Sequence, residues 1–300
     1  MAQKIIPNLW CDRTADEAGG FYSEVLPKTS ATVSARYPDE LPDWQAEFAG
    51  TSLVVDLDVD GYQIALINAG GDFRPNPSIS FMLNFDPLLF DGDEDAARAE
   101  LNAAWQGLST DGRVLMDLGE YPFSKRYGWV EDRFGVSWQL LLTDPAGDPR
   151  PFVIPQLLFN GSSQGKAREA AEYYTSLFDD ADLGFVAPYP QQTGPAAPGE
   201  VMFGEFRLLG QWFAMMDSAV EQDFSFGPGV SLEVRCEGQE QIDRLWDALS
   251  AVPEAEQCGW LADRYGVSWQ IVPANLGELM QRPGAYETMM GQKKIVISDY

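Results

Sequence analysis

An α+β chain of four βαβββ modules is what this 300-residue sequence predicts, and three observations carry the prediction. The first is a repeated segment. Trp129–Val130–Glu131–Asp132–Arg133–Phe134–Gly135–Val136–Ser137–Trp138–Gln139 returns as Trp260–Leu261–Ala262–Asp263–Arg264–Tyr265–Gly266–Val267–Ser268–Trp269–Gln270, with eight of eleven positions identical. The second is its period of roughly 150 residues, too long for a solenoid and right for two homologous domains. The third is that strand-like and helix-like stretches follow the same order in each quarter of the chain.

The first quarter opens with an apolar strand at 5–10. Asp12 to Asp16 supply turn and N-cap signals for an amphipathic helix to about Leu26, which Pro27 stops. Strand patterns follow at 29–36, 52–59 and 62–68, the last two joined through Asp60–Gly61, a hairpin signal. The pattern restarts with a strand at 79–85, a helix at 93–106 and strands at 114–118, 127–131 and 136–142. Residues 143–151 are a Pro/Gly/Asp linker. Beyond it come a strand at 153–159, a helix around 166–178, a proline-rich loop at 188–198 and strands at 201–208 and 211–216. The last quarter gives a strand at 230–236, a helix at 239–249 and strands at 259–261 and 267–272. Residues 276–290 read as a terminal helix, and 293–300 as a short edge element or a frayed end. The predicted division is a first domain at 1–143, a linker at 144–151, a second domain at 152–275 and a tail at 276–300.

Composition narrows the function. A net charge of −26 and a pI near 4.1 leave no basic stripe for nucleic acid and oppose binding to anionic membrane surfaces. Cys11, Cys236 and Cys258 are dispersed, and no CxxC pair occurs; they read as reduced thiols in a cytoplasmic protein. No apolar run approaches the ~18 residues of a membrane span. Histidine is absent, which removes Ser-His-Asp and Cys-His mechanisms and the commonest nitrogen ligand for transition metals.

The repeated Trp-x-x-Asp-Arg-[Phe/Tyr]-Gly-Val-Ser-Trp-Gln segment, the opening Ile5–Ile6–Pro7–Asn8–Leu9–Trp10, the Ala15–Asp16–Glu17–Ala18…Phe21–Tyr22 helix and Tyr127–Gly128–Trp129 resemble the vicinal-oxygen-chelate (glyoxalase, bleomycin-resistance, dioxygenase) superfamily. Within it they resemble the PhnB-like branch called 3-demethylubiquinone-9 3-methyltransferase. The resemblance covers nearly all the chain except the tail. It implies a cleft on the concave side of each cupped sheet, metal ligands from first and last strands of the modules, and an intrachain pseudo-dimer, with further oligomerisation left open. Carried over, the ligand positions fall on Ile6 or Pro7, Ile154 or Pro155, Ala65, Ala214, Gln139 and Gln270, a set poor in charge for a divalent cation. No cofactor is expected.

Alternation indicates what lines the clefts. Val136, Trp138 and Leu140 oppose Ser137 and Gln139; Val230, Leu232, Val234 and Cys236 oppose Ser231, Glu233 and Arg235; Ile79, Phe81, Leu83 and Phe85 oppose Ser80, Met82 and Asn84. Two polar rows result. Asn8, Gln63, Asn84, Ser137 and Gln139 form one, and Gln156, Glu233, Arg235, Ser268 and Gln270 the other, backed by Trp10 or Trp212. They suit an uncharged or zwitterionic organic ligand, unless the concave faces are merely solvated, form a subunit contact, or pair Glu233 with Arg235. Trp138 and Trp269 read as core, and Asp132–Arg133 and Asp263–Arg264 as turns with a local ion pair. Cys258 reads as an inert thiol, and Tyr121, Tyr127 and Tyr189 as candidate acids at a rim. The glycine-bearing loop after Asn68 lacks Gly-x-Gly-x-x-Gly spacing, so neither nucleotide binding nor a Rossmann-type methyltransferase is expected. The leading reading is a metal-free small-molecule-binding protein. The alternatives are a lyase, isomerase or dioxygenase, metal-independent through Glu233 or a tyrosine or metal-dependent through Asp56 and Glu205, and a scaffold with non-functional clefts.

Overall fold

The computed structural model describes residues 3–300. The first module comprises β1 (Ile5–Asp12), α1 (Ala15–Val25), β2 (Thr29–Arg36), β3 (Ser52–Val59) and β4 (Tyr62–Ala69). The second has β5 (Ile79–Phe85), α2 (Glu94–Ser109), β6 (Arg113–Tyr121), β7 (Ser124–Glu131) and β8 (Ser137–Leu142). The third follows with β9 (Val153–Phe159), α3 (Ala167–Leu177), β10 (Asp182–Pro188), β11 (Val201–Leu208) and β12 (Gln211–Asp217). The fourth has β13 (Val230–Cys236), α4 (Gln239–Leu249), β14 (Trp260–Ala262) and β15 (Ser268–Pro273), trailed by α5 (Leu276–Leu279) and α6 (Ala285–Met290). The α+β class holds, with four departures from the expected elements. The β10 strand lies where alternation is masked by Gly184 and by edge exposure. The fourth module is one strand short, a 3-10 turn at Pro253–Ala255 lying between α4 and β14. The terminal helix is broken into α5 and α6, because Pro283 precedes Gly284 at φ +78°. Residues 293–300 are neither a strand nor frayed: Ile295 is fully buried, and its carbonyl accepts from Gln239 Nε2 at 3.0 Å.

The sheets do not follow the halves of the sequence. One has the order β14-β15-β13-β1-β4-β3-β2 and joins the first and fourth modules; the other, β10-β11-β12-β9-β5-β8-β7-β6, joins the second and third. Within a module the first strand pairs parallel with the last, as Asn8 does with Ala65 and Gln156 with Ala214. Across each seam two opening strands pair antiparallel, Asn8 opposite Ser231 and Ser80 opposite Gln156. The seam strands are buried on both faces, which is why β5 and β9 carry no exposed residue. Helices pack on the convex faces over a core that includes Ile5, Leu9, Phe81, Leu157 and Trp269.

The repeated segment has a structural reason. Asp132, only 2% exposed, accepts four hydrogen bonds: Tyr22 Oη and Trp138 Nε1 each donate to Oδ2 at 2.8 Å, and the backbone N–H groups of Phe134 and Val136 to Oδ1 at 2.8 and 3.1 Å. Asp263 repeats this with Tyr174 (2.6 Å), Trp269 (2.9 Å), Tyr265 (2.8 Å) and Val267 (3.0 Å). The carboxylate thus ties the helix of the preceding module (α1 or α3) to the tight turn and last strand of the second or fourth module, and Gly135 and Gly266 (φ +87° and +91°) are required inside that turn. Burial pushes both aspartates above the usual carboxylate range despite their donors. The expected local ion pairs do not form. Arg133 instead donates to Glu17 at 3.2 Å and covers the Phe21 ring, while Arg264 covers Tyr173. Trp138 and Trp269 are fully buried core, as expected.

Candidate binding clefts

Register sorts the polar residues by sheet rather than by half, so the two predicted rows are exchanged between clefts. On the first sheet the concave face carries Asn8, Gln63, Glu233, Arg235, Ser268 and Gln270, with Ser231 beside Asn8. On the second it carries Ser80, Asn84, Ser137, Gln139, Gln156 and Trp212. The opening-strand residues facing Ala65 and Ala214 are Asn8 and Gln156, not Ile6, Pro7, Ile154 or Pro155. Sequence reasoning placed Ser80 and Ser231 on the polar strand faces but left them out of the rows; both lie at a seam, and each accepts from the glutamine of its own module's last strand, Gln139 and Gln270.

In the second cleft a neutral network covers the floor. Gln139 is 4% exposed. Its Oε1 accepts from Tyr127 Oη at 2.6 Å; its Nε2 donates to Ser80 Oγ at 2.8 Å and to Gln156 Oε1. Gln156 Nε2 has no partner among the described residues. Ser137 Oγ accepts from Trp129 Nε1 at 2.7 Å, and Asn84 holds the linker by donating to the Pro151 carbonyl at 2.8 Å. Met82, Ile154 and Ala214 fill the space beside the amides, with Trp212 packed against them. Arg150, from the linker, forms a two-pronged pair with Glu205 (2.9 Å at both nitrogens) and stacks 4.3 Å above Trp212. Tyr127 has its hydroxyl pushed up by burial, so it serves as a donor to Gln139 rather than as an acid. Tyr121 donates to the Asp117 carbonyl and Tyr189 to the Asp217 carbonyl.

The first cleft is more charged. Gln270 Nε2 donates to Ser231 Oγ at 2.9 Å, repeating the Gln139–Ser80 bond. Glu233 replaces Met82 and accepts from Arg235 at 2.7 Å and from Asn8 at 3.4 Å. Gln63 is exposed at the rim, its backbone paired with the Gln3 side chain. Trp10 bonds the Gly70 carbonyl at 2.6 Å and meets Trp260 edge to face, with centroids 5.9 Å apart, although β13 and β15 lie between their strands. The sheet is therefore tightly cupped. The C-terminal segment bridges the rims: Tyr286 Oη donates to Gln45 of the first module at 2.7 Å, and Gln257 of the fourth donates to the Met290 carbonyl at 2.7 Å. Cys258 is buried beneath it, 3.8 Å from the Met290 sulfur, and burial raises its pKa.

The resemblance to a metal-binding superfamily can be tested against these donors. The centre of each cleft holds amides, serine hydroxyls and alanine, and the amides are spent on one another. Glu205 and Glu233 are each neutralised by an arginine, and Asp56 lies next to Ala65 with Asp58 two residues along the same strand face. Among the described residues no three His, Cys, Asp or Glu side chains converge. The donor set does not fit a divalent cation. An open groove of about 610 Å³ lies outside both clefts by Lys4 and the start of α4, rimmed by Asp179, Asp180, Glu237 and Glu240.

Comparison with known proteins places this arrangement. The family model for 3-demethylubiquinone-9 3-methyltransferase matches residues 3–141 and again 151–272. A PhnB protein from Bacillus cereus, described as a putative 3-demethylubiquinone-9 3-methyltransferase, is 30% identical over 47% of this chain and 100% of its own, with a TM-score of 0.39. Protein PA1353 from Pseudomonas aeruginosa is 22% identical over 47% of this chain and 98% of its own (TM-score 0.37). Glyoxalase I from Zea mays shares the fold across both halves, covering 92% of this chain and 95% of its own at 11% identity and a TM-score of 0.52. No curated protein matches. No helix among the described residues is long and apolar enough to cross a membrane. The chain belongs to the PhnB-like 3-demethylubiquinone-9 3-methyltransferase family of the vicinal-oxygen-chelate superfamily, as a tandem duplication.

Proposed function

We propose that the chain is a metal-free binding protein for an uncharged or zwitterionic organic molecule, and that the second cleft is its main seat. One observation carries this reading: the Tyr127–Gln139–Ser80–Gln156 network presents a neutral, pre-oriented floor with a spare amide donor at Gln156, beside Trp129 and Trp212. Such a surface orients a polar group of a ligand whose body packs on aromatic and aliphatic walls. It lacks the charge for a divalent cation, and every ionisable group near it is buried as a donor or held in an ion pair, which disfavours proton transfer. The methyl-transfer activity in the family's description calls for a cofactor site that the glycine pattern does not support.

Thermal unfolding of the full chain tests the proposal with Mg²⁺, Mn²⁺, Zn²⁺ and Ni²⁺ in one series, and with small aromatic amides, phosphonates and antibiotic-like compounds in another. A compound at 100 times its dissociation constant stabilises by about 2.7 kcal/mol. Saturable stabilisation by an organic compound, lost in Gln139→Leu, is the expected result. A saturable metal shift that survives removal of adventitious surface sites overturns the metal-free reading and redirects attention to Asp56, Glu205 and Glu233.

A further inference from the structure

A second pocket, of about 350 Å³, opens at the end of the first sheet, outside both clefts. Its walls include Leu9, Tyr22, Leu66, Phe134 and Val136. The corresponding residues of the second half are Leu157, Tyr174, Met215, Tyr265 and Val267, nearly the same surface. There the space is filled by two phenyl rings. Phe159 and Phe226 meet edge to face with centroids 5.1 Å apart, and Phe226 lies against Gly266. In the first half these positions are Cys11 and Pro75, and Pro75 lies against Gly135. Walls that hold phenyl rings in one half are therefore left unfilled in the other. The neighbouring position changes as well: Ser225 in the second half corresponds to Arg74 in the first, which lines the pocket, is exposed and has no carboxylate partner among the described residues. Arg133, which also lines the pocket, is already paired with Glu17 at 3.2 Å, so Arg74 is the guanidinium left for a ligand.

We infer that this pocket is a binding site for a small aromatic carboxylate, its ring seated where Phe159 and Phe226 lie in the other half and its carboxylate meeting Arg74. The volume exceeds the ~150 Å³ that an apolar cavity needs to take a benzene ring, and an arginine at the mouth offers the paired donors that a carboxylate matches. Cys11 sits at the wall as a neutral thiol, its pKa pushed up to about 12 by burial and by Asp132, and the one carboxylate lining the pocket, Asp12, is paired with Arg13 at 3.3 Å.

Isothermal titration of the full chain with phenylacetate, and in parallel with benzyl alcohol as the neutral counterpart, tests the inference. Saturable one-site binding of phenylacetate is expected. Arg74→Ser should weaken it at least tenfold while leaving benzyl alcohol unaffected, and Cys11→Phe should abolish both. Because Cys11→Phe could disturb folding, Pro75→Phe serves as a second filling variant, and the exposed Arg74→Ser stands independently of either. Gln139→Leu, which alters the second cleft, should leave phenylacetate binding unchanged, so the two sites are separable. The inference is overturned by the absence of saturable binding up to about 10 mM, by binding that survives both filling variants, by loss in Gln139→Leu, or by an equal loss of acid and alcohol in Arg74→Ser.

Discussion

Exchanging Asp132 for asparagine tests the account of the repeated segment, because the geometry dictates how the amide must sit. Oδ1 receives two backbone N–H groups, from Phe134 and Val136, and neither can reverse. Oδ2 receives the Tyr22 hydroxyl, which can turn and accept, and the Trp138 indole N–H, which cannot. The asparagine nitrogen therefore faces Tyr22 and Trp138, and the indole N–H is left buried without an acceptor, at a cost of about 1–3 kcal/mol. The two backbone bonds also lose their charge assistance, while the penalty for burying a charge disappears. The net expectation is a loss of about 2–4 kcal/mol, read in urea unfolding as a lower midpoint at unchanged slope. Asp263→Asn should cost a similar amount, since its donors are the same four types. The pH dependence has a definite sign. Burial raises the folded-state pKa of Asp132, so the folded chain holds that proton more tightly than the unfolded chain. Its contribution is fully present below the unfolded value of ~3.9 and is lost as pH rises through the folded value. The variant lacks this titration, so the cost of the substitution should shrink between pH 4 and neutrality. A cost below about 0.5 kcal/mol refutes the hub; a cost that grows with pH refutes the desolvation argument.

Three further outcomes follow from the same contacts. Arg150→Ala leaves Glu205 (side chain 10% exposed) without its partner and uncovers Trp212; a loss of about 1–3 kcal/mol is expected in chemical unfolding, reduced from the fully buried case because Arg150 is partly solvated. A chain ending at Asn275 lacks the acceptors of the Cys258 and Gly259 amides, the carbonyls of Gln292 and Lys293. Hydrogen exchange at those amides should rise while amides of the second sheet stay protected. Gly128→Ala places a methyl group 2.5 Å from the Trp105 ring, so thermal unfolding should show a drop of about 1–3 kcal/mol as Trp105 is displaced.

Much of the fold was legible because alternation and turn chemistry are local. The strands Thr29–Arg36, Ser52–Val59, Ile79–Phe85, Val153–Phe159 and Val230–Cys236 carry their burial pattern in their own residues. The pairing of sheets was not legible, because a seam is a contact between strands more than 70 residues apart (Ile79 opposite Leu157) or more than 220 apart (Leu9 opposite Val230). No local pattern distinguishes pairing within a half from pairing across halves. That is why the polar rows combine differently in the structure, Asn8 and Gln63 sharing a sheet with Glu233 and Gln270, and Gln156 with Asn84 and Gln139. The role of Asp132 was hidden for a related reason. Its neighbour Arg133 offers an obvious charge partner in sequence, whereas the groups that bind it, Tyr22 and Trp138, are neutral, and one of them is 110 residues away.

The seams make the two halves interdependent, and this gives a further prediction. A fragment of residues 1–150 contains the first two modules but neither seam partner. It would expose β1, whose Ile5, Ile6 and Leu9 are at most 1% exposed in the full chain, and β5, buried along its whole length. Two unpaired apolar edges on one fragment are an association surface. The repeat itself says how they would be satisfied. In the full chain β1 pairs with β13, the opening strand of the fourth module, and β5 is its equivalent in the second. Two fragments can therefore join β1 of each to β5 of the other, setting Asn8 opposite Ser80 where Ser231 stands now, and close with twofold symmetry. Light scattering of the purified fragment should give twice the fragment mass, and an equimolar mixture with residues 151–300 should form a one-to-one complex. Fusing the halves replaces that association by an intrachain one at high effective concentration, and it frees the two clefts to differ, as Met82 and Glu233 already do. A fragment that stays monomeric while keeping native near-ultraviolet circular dichroism would show that each half closes its own sheet, and would remove the argument that the duplication preserves a dimer.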